Sequence, residues 1–531
     1  MDVPTKNRLA NKMLYAAPWL AALSAACAPD AAPPVGRVAA PLALGAVPSQ
    51  FIAKLYTEAL GRAPDAGGWQ GNANAFLASG CSTATMRDLA FRIFDSAEYK
   101  ARGYSSREAV LTAYRAVLSR EPDPGGLLHY AALIETMGQT PATVARSLAE
   151  SPEFAAFAGA ACAGAYREDW GSSQAIDIGY GTWTQARLVR CLADNVVCEL
   201  PPRTVVYLNA TLVVPAGHTL QTAGLVDRRA YARQARLVRA SAGFVHMVEL
   251  KEGATLRNVW VSGQRHLFRN ALPSDGVRAN VFCSLGGSAG AAILGNRLEF
   301  PLQRTDVETH GTWPLRIVDN LTVNYTAHHT VDGTQTWVSD GISNHHKEAT
   351  IDDNDIVDPT DVGIVIFGHD DGVQRSSAAG NTIVHAGNSA YGSLVFDTIY
   401  ECRGCQFTGA MHDNLILGGR VAHSDVMLSV GTGPWAAPTC SGAQNSCGRG
   451  ARMVNNRTIW GDDAQRIQVQ NALVVDGMLD ADTRGNQLYI EPARLGGCFR
   501  GPGVSNDLSR GHASGSLMLE GDRDVHSCIG H

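Results

Sequence analysis

The feature that most constrains this chain is a short phrase that returns through its second half, an asparagine set between apolar and β-branched runs. It reads TLRNVWVSG, ILGNRLEF, IVDNLTVN, IDDNDIVD, AAGNTIVH, MHDNLILG and MVNNRTIWG. The asparagines are Asn258, Asn296, Asn320, Asn354, Asn381, Asn414 and Asn456, spaced 24 to 42 residues apart. Recurrence on that scale marks one structural unit per repeat with connecting loops of unequal length. Short β-branched runs broken by Gly, Asn and Asp read as strands and turns. Strands buried inside such a stack are apolar throughout, and asparagines at the same turn of successive coils can bond to one another in a ladder.

A second register interleaves with the first: Gly341 in SDGIS, Gly363 in DVGIVIF and Gly392 in SAYGSLVF. Aligning these glycines on three coils stacks His346 and Lys347, Gly368 and His369, and Asp397 and Thr398, at about 4.8 Å per layer. Asp370, Asp371, Arg375, Tyr400 and Glu401 follow in the adjoining loops. This is the densest set of titratable groups in the repeat region, and it is read as a groove with a catalytic centre. Abstracting a proton alpha to a carboxylate, as a uronate lyase does, needs a base and a cation. Lys347 or His369 is the candidate base, with Arg375, or a calcium ion held by Asp370 and Asp371, as neutraliser. Glycoside hydrolysis needs two carboxylates of unlike pKa, for which Asp361, Asp370 and Asp397 are candidates. Asp340, His345, His346, Tyr400 and Glu401 are the expected binding residues. Apart from four lysines at or before position 100, only Lys251 and Lys347 occur, which gives Lys347 its prominence.

The repeats resemble the pectate-lyase-like superfamily over roughly residues 175 to 490. The resemblance implies a right-handed parallel β-helix acting on or binding extended carbohydrate. SDGI at 339–342 is similar to the opening aspartate motif of polygalacturonases, whose Gly-His-Gly is absent. DPTD at 358–361 looks like the Asp-Pro-His-Asp motif of mannuronan epimerases, with Thr360 where their His stands.

An internal duplication occupies residues 51–154. FIAKLYTEALGRAPDAGGW from Phe51 matches AVLTAYRAVLSREPDPGGL from Ala109 at an offset of 58 residues, and FDSAEY and AESPEF close the two copies. Apolar residues at helical spacing precede each Arg-x-Pro-Asp turn, so each unit reads as a helix, a Pro/Gly turn and further helices. Arg62 with Asp65, and Arg120 with Asp123, are expected to tie the turn to the adjoining helix. The pattern resembles a domain-of-unknown-function family of bacterial extracellular proteins with the signature Leu-Gly-Arg-x-Pro-Asp-x-x-Gly, from which the second copy departs at Ser119. The resemblance implies a scaffold or attachment role.

The fold class is therefore multidomain, an all-α repeat module followed by an all-β right-handed parallel β-helix. The expected segments are a signal peptide over 1–26, an Ala/Pro-rich tether over 27–48, two helical repeats over 49–160, and a connector and N-terminal cap over 161–200. The β-helix takes 201–490 and a capping tail 491–531. Lys6, Arg8 and Lys12 before the apolar run Met13–Ala26 have the layout of a secretory signal. LSAAC resembles a lipobox, so lipidation at Cys27 stands beside simple cleavage near Ala26 or Ala28, and membrane attachment is expected only through that lipid. Cysteines in close pairs fit an oxidising compartment: Cys191 with Cys198, Cys402 with Cys405, Cys440 with Cys447, Cys498 with Cys528, and Cys81 with Cys162, leaving Cys283 free. A net charge of −6 gives no footprint for nucleic acid. The function expected is that of an exported polysaccharide-active protein, lyase-like if catalytic. The alternative is a non-catalytic surface adhesin.

Overall fold

A computed structural model describes residues 47–500 apart from 164–167, 169, 225, 269–278, 286–289, 326–338, 370, 388, 399–404, 420–422, 432–447, 460–467, 477 and 488–496. The signal segment, Cys27, Asp370, Tyr400, Glu401 and Cys402 lie outside the described residues, as do Cys440, Cys447 and Cys528.

From Val197 the chain visits three faces in turn. Val197–Leu200 starts the first sheet, Val205–Leu208 joins the second, Leu212–Val214 starts the third, and Thr219–Thr222 returns to the first. Each strand pairs in parallel with its counterpart on the next coil, which yields sheets of nine, ten and ten strands. From Val373 a narrow four-stranded sheet adds a further side. The molecule is a right-handed parallel β-helix. Its interior is a file of aligned apolar side chains. On the third sheet Val281, Val307, Ile342, Ile364, Leu394, Leu428 and Leu473 stand in register, all with no exposure.

The asparagine ladder forms at the corner between the first and second sheets. Asn296 donates its Nδ2 to Asn320 Oδ1 at 3.0 Å, and the same bond runs from Asn320 to Asn354, Asn354 to Asn381, Asn381 to Asn414, Asn414 to Asn456 and Asn456 to Asn486. Each side chain also bonds a backbone carbonyl of the coil below, so the buried amides are fully used. Two details depart from the sequence reading. Asn486 extends the ladder by a rung, whereas Asn258 stands one position too early. Its φ of 50° places it with Gly295, Asp319, Asp353, Gly380, Asp413, Asn455 and Gly485, all of positive φ. The corner thus needs a left-handed residue and then an asparagine, and Gly, Asp and Asn are the residues that enter that region most cheaply.

The helix Gln185–Asp194 closes the open end of the stack. Leu188 and Leu192 enter the solenoid core, Thr184 caps the helix by accepting from the Arg187 amide, and the Cys191–Cys198 disulfide ties the helix to the first strand. Cys81 and Cys162 are bonded across the helical module, Cys405 is disulfide-bonded, and Cys283 is free and buried.

In the helical repeats Asp65 and Asp123 cap the helices Ala66–Ser79 and Pro124–Met137. Arg62 reaches Asp65 at 3.2 Å but also Glu98 at 2.7 Å, and Arg120 reaches Asp123 at 3.5 Å and Glu153 at 2.7 Å. The closing phrases SAEY and SPEF therefore supply the carboxylates that clip each unit together. Ser119 holds the left-handed conformation that Gly61 holds in the first copy.

The module is not a bead on a tether. It lies on the outward face of the second sheet, and its core is continuous with Trp260, Phe300, Leu321, Val323, Val357, Val384 and Leu417 of the solenoid. Beneath it is a closed charge network. Arg115 bonds Glu58 and Glu299 at 2.7 Å each and also Glu121. Arg297 bonds Glu58 and Glu299, and Arg236 bonds Glu121 and Glu299. Burial alone would raise Glu58 and Glu299, but Arg115 and Arg297 hold both below the usual carboxylate range. The Arg115 guanidinium also lies 4.4 Å from the Trp170 ring and 4.8 Å from the Trp260 ring. Among the described residues no helix is long and apolar enough to cross a membrane.

Candidate functional site

The outward face of the third sheet carries most of the expected site residues, and its register decides which of them meet. Ile342 pairs with Ile364 and Ile364 with Leu394. Gly341 therefore stacks on Gly363, as expected, but Gly363 stacks on Ser393, because Gly392 pairs with Val362. This position points inward. A Cβ on Gly341 would stand 2.6 Å from the Ile356 side chain, and one on Gly363 3.1 Å from Ile383. Only a very small residue fits there, and Ser393 serves on the third coil.

The one-residue slip alters the site. His345, not His346, shares a column with Asp397, through Phe367. His346 is turned into the solenoid with no exposure, neither ring nitrogen has a hydrogen-bond partner among the described residues, and burial drops its pKa to about 3. It is a neutral core residue. Asp397 lies in the outward column but is fully buried. His369 falls just beyond the strand Val362–Phe367, where its Nδ1 lies 3.1 Å from Asp371. The expected convergence of His346, His369 and Asp397 on one open surface does not form, since stacked strands transmit a one-residue offset to every later side chain.

Lys347 is bonded to Asp371, the same carboxylate that meets His369. Against a burial penalty, the Lys347 hydrogen bond holds Asp371 below its ordinary pKa. One Asp371 oxygen meets each of these two side chains, while Asp370, the other expected calcium ligand, lies outside the described residues. Arg375 sits one coil above Lys347, donating its amide to the Lys347 carbonyl at 2.7 Å, with its side chain exposed.

Two constellations remain on the face. At the leading edge, Asp340 Oδ2 accepts from Ser343 Oγ at 2.5 Å and Oδ1 accepts from the Val362 amide at 2.8 Å, which brings it beside Asp361 at the foot of the next strand. Burial first, and then the negative charge of Asp361, push Asp340 well above the usual carboxylate range. Farther along the strands, Glu308, His310 and His345 bring three metal-ligating atoms within 4.8 Å of one another. Rings stack across the coils in one file: His246 on Phe282 at 4.0 Å, His310 on His345 at 4.3 Å, and His345 on Phe367 at 4.0 Å. On the higher coils the outward floor turns apolar, with Val362, Val365 and Val395 packed beside Phe367 and Tyr391. Sequence reasoning missed Glu308 and His310. Their signal was the alternation in VETHG at 307–311, one coil below the first register glycine.

The fold and this face define a parallel β-helix with a helical module docked on one side and a polar, titratable surface on another. Residues 90–157 match the family model described as a domain of unknown function (DUF4214). No curated protein matches the chain. Among solved structures, the endo-xylogalacturonan hydrolase from Aspergillus tubingensis is 13% identical with a TM-score of 0.34, covering 60% of this chain and 94% of its own. The Dettilon tailspike protein is 13% identical with a TM-score of 0.32, covering 59% and 64%. A tailspike protein from Acinetobacter baumannii bacteriophage Fri1, a capsular polysaccharide depolymerase, is 10% identical with a TM-score of 0.20, covering 61% of each chain. At these values the likenesses assign no chemistry.

Proposed function

We propose that the outward face of the third sheet binds an extended polysaccharide outside the cell and that Asp340 and Asp361 hydrolyse its glycosidic bonds. The observation that carries this reading is the placement of Asp340 beside Asp361, where burial and then the charge of Asp361 push the Asp340 pKa well above the usual carboxylate range. Glycoside hydrolysis requires one carboxyl group that keeps its proton and a second that is ionised, flanking the bond to be broken. Asp340 is the general acid that protonates the leaving oxygen. Asp361 is the carboxylate that activates water or attacks the sugar carbon. Ten parallel strands at about 4.8 Å each give a surface long enough for several sugar units. The Cys81–Cys162 and Cys191–Cys198 disulfides favour an exported location, secreted or in the envelope.

The lyase form of the reading requires Lys347 or His369 as a free base. Lys347 is paired with Asp371 and suits the task of a cation better. The experiment is to incubate the purified chain with neutral and uronate-containing polysaccharides, measuring new reducing ends and unsaturated product together. Reducing ends without unsaturation, lost in Asp340→Asn, are the expected outcome. Unsaturated product would replace hydrolysis with elimination, and unchanged chain length on every polymer would leave a binding protein.

A further inference from the structure

We propose that Glu308, His310 and His345 form a binding site for a first-row transition-metal ion of the Zn²⁺ type. The strands Arg304–Gly311 and Ser339–His346 place His310 directly opposite His345, and Glu308 lies two residues before His310 on the same outward face. His310 Nε2 is 2.9 Å and His345 Nε2 3.4 Å from Glu308 Oε1. Donors about 2.1 Å from a tetrahedral zinc ion lie about 3.4 Å from one another, and the three atoms, all within 4.8 Å of one another, are close enough for small side-chain rotations to bring them to that spacing.

The donor set selects the ion. Two imidazoles and one carboxylate suit zinc and its neighbours, whereas calcium and magnesium take oxygen ligands. Three protein ligands leave a fourth position for water. His310, with 39% of its side chain exposed, opens that position to solvent, while Glu308 at 7% and His345 at 13% form the sheltered side.

The platform is rigid. Seven register pairs join the two strands, and the His345 ring is sandwiched between His310, 14° from parallel, and Phe367, 10° from parallel. Ligands fixed by backbone pairing and packing are what a precise metal site requires. A metal lies in the plane of the imidazole that binds it, so coordination opens the His310–His345 stack. The inference does not rest on the hydrolytic reading. Asp340 and His345 are five residues apart on one strand, about 17 Å when extended.

The test uses the full chain, stripped with a chelator and titrated with zinc chloride by calorimetry and with cobalt chloride by visible absorption. One zinc per chain is expected, weakened at least tenfold in Glu308→Gln and in His345→Ala, together with the intense cobalt bands of four-coordinate geometry. Zinc affinity unchanged in both variants, or calcium chloride competing as well as zinc, would overturn the site. Circular dichroism checks the fold of each variant, and Glu308→Gln decides the matter if His345→Ala unfolds. No step reads polysaccharide cleavage, so failure here leaves the acid–base pair untouched.

Discussion

The second and third sheets belong to one solenoid, share one core and differ in what their outward faces do with charge. On the second sheet Arg115, Arg236 and Arg297 meet Glu58, Glu121 and Glu299 beneath the helical module, three cations against three anions with every side chain almost wholly buried. On the third sheet Asp340 is set against Asp361, and Glu308, His310 and His345 crowd at the surface. The first arrangement balances its charges inside the fold, with only Arg236 Nε and Nη1 and Glu121 Oε2 short of a hydrogen-bond partner among the described residues, so it serves architecture. The second leaves charge and protonation unbalanced on an accessible face, which is the condition under which side chains do chemistry.

The largest effect comes from breaking the closed face. Arg115→Ala strips the main partner from three buried carboxylates and should cost about 3–5 kcal/mol in chemical denaturation. Glu308→Gln on the open face should cost less, about 1 kcal/mol, because the amide keeps the shape and hydrogen-bonding capacity of the buried side chain and its partner His310 is 39% exposed. Equal losses would erase the distinction between the faces.

Next in size is the corner that both faces share. Asn354→Ala removes one rung and leaves the neighbouring Asn320 and Asn381 groups short of partners. A loss of about 2–3 kcal/mol is expected from the same denaturation curves. A neutral result would mean that the ladder decorates the turn and does not hold it.

Asp340→Asn sharpens the contrast by separating stability from activity. The folded-state pKa of Asp340 is raised, so its contribution to stability is fully present below the ordinary carboxylate pKa near 3.8 and is lost as pH rises through the raised folded value. The amide cannot ionise. The variant should therefore lose less stability than the parent between mildly acidic and alkaline pH, while hydrolysis falls by roughly 10²- to 10⁴-fold. Stability curves of the same slope would show Asp340 to be an ordinary carboxylate.

The smallest effect is assigned to Lys347→Ala. Its partner Asp371 is substantially exposed, so stability should change by less than about 1 kcal/mol, and reducing-end release should persist. Abolished turnover would return Lys347 to the centre of the mechanism.

The solenoid was legible because its turns are chemically specific: a left-handed Gly, Asp or Asn followed by a buried Asn leaves a mark that survives loops of any length. The cap at Gln185–Asp194 and the Cys191–Cys198 pair were legible for similar local reasons. The docking of the helices was not. It depends on Arg236, Arg297 and Glu299 standing inside otherwise apolar strands, and a charge there reads locally as solvent-facing until its partners arrive from residues 58 to 121. The site was half legible. Asp340, Asp361 and His345 were picked out, but Ser393 occupying the place expected for Gly392 put Asp397 in the column of His345 and not of His346, which faces the core.

The most direct test of the central claim is infrared difference spectroscopy of the parent chain against Asp340→Asn at mildly acidic pH, where an ordinary aspartate is ionised. A protonated carboxylic-acid carbonyl band that disappears in the variant is the predicted result. A parent spectrum that shows Asp340 as carboxylate would contradict it.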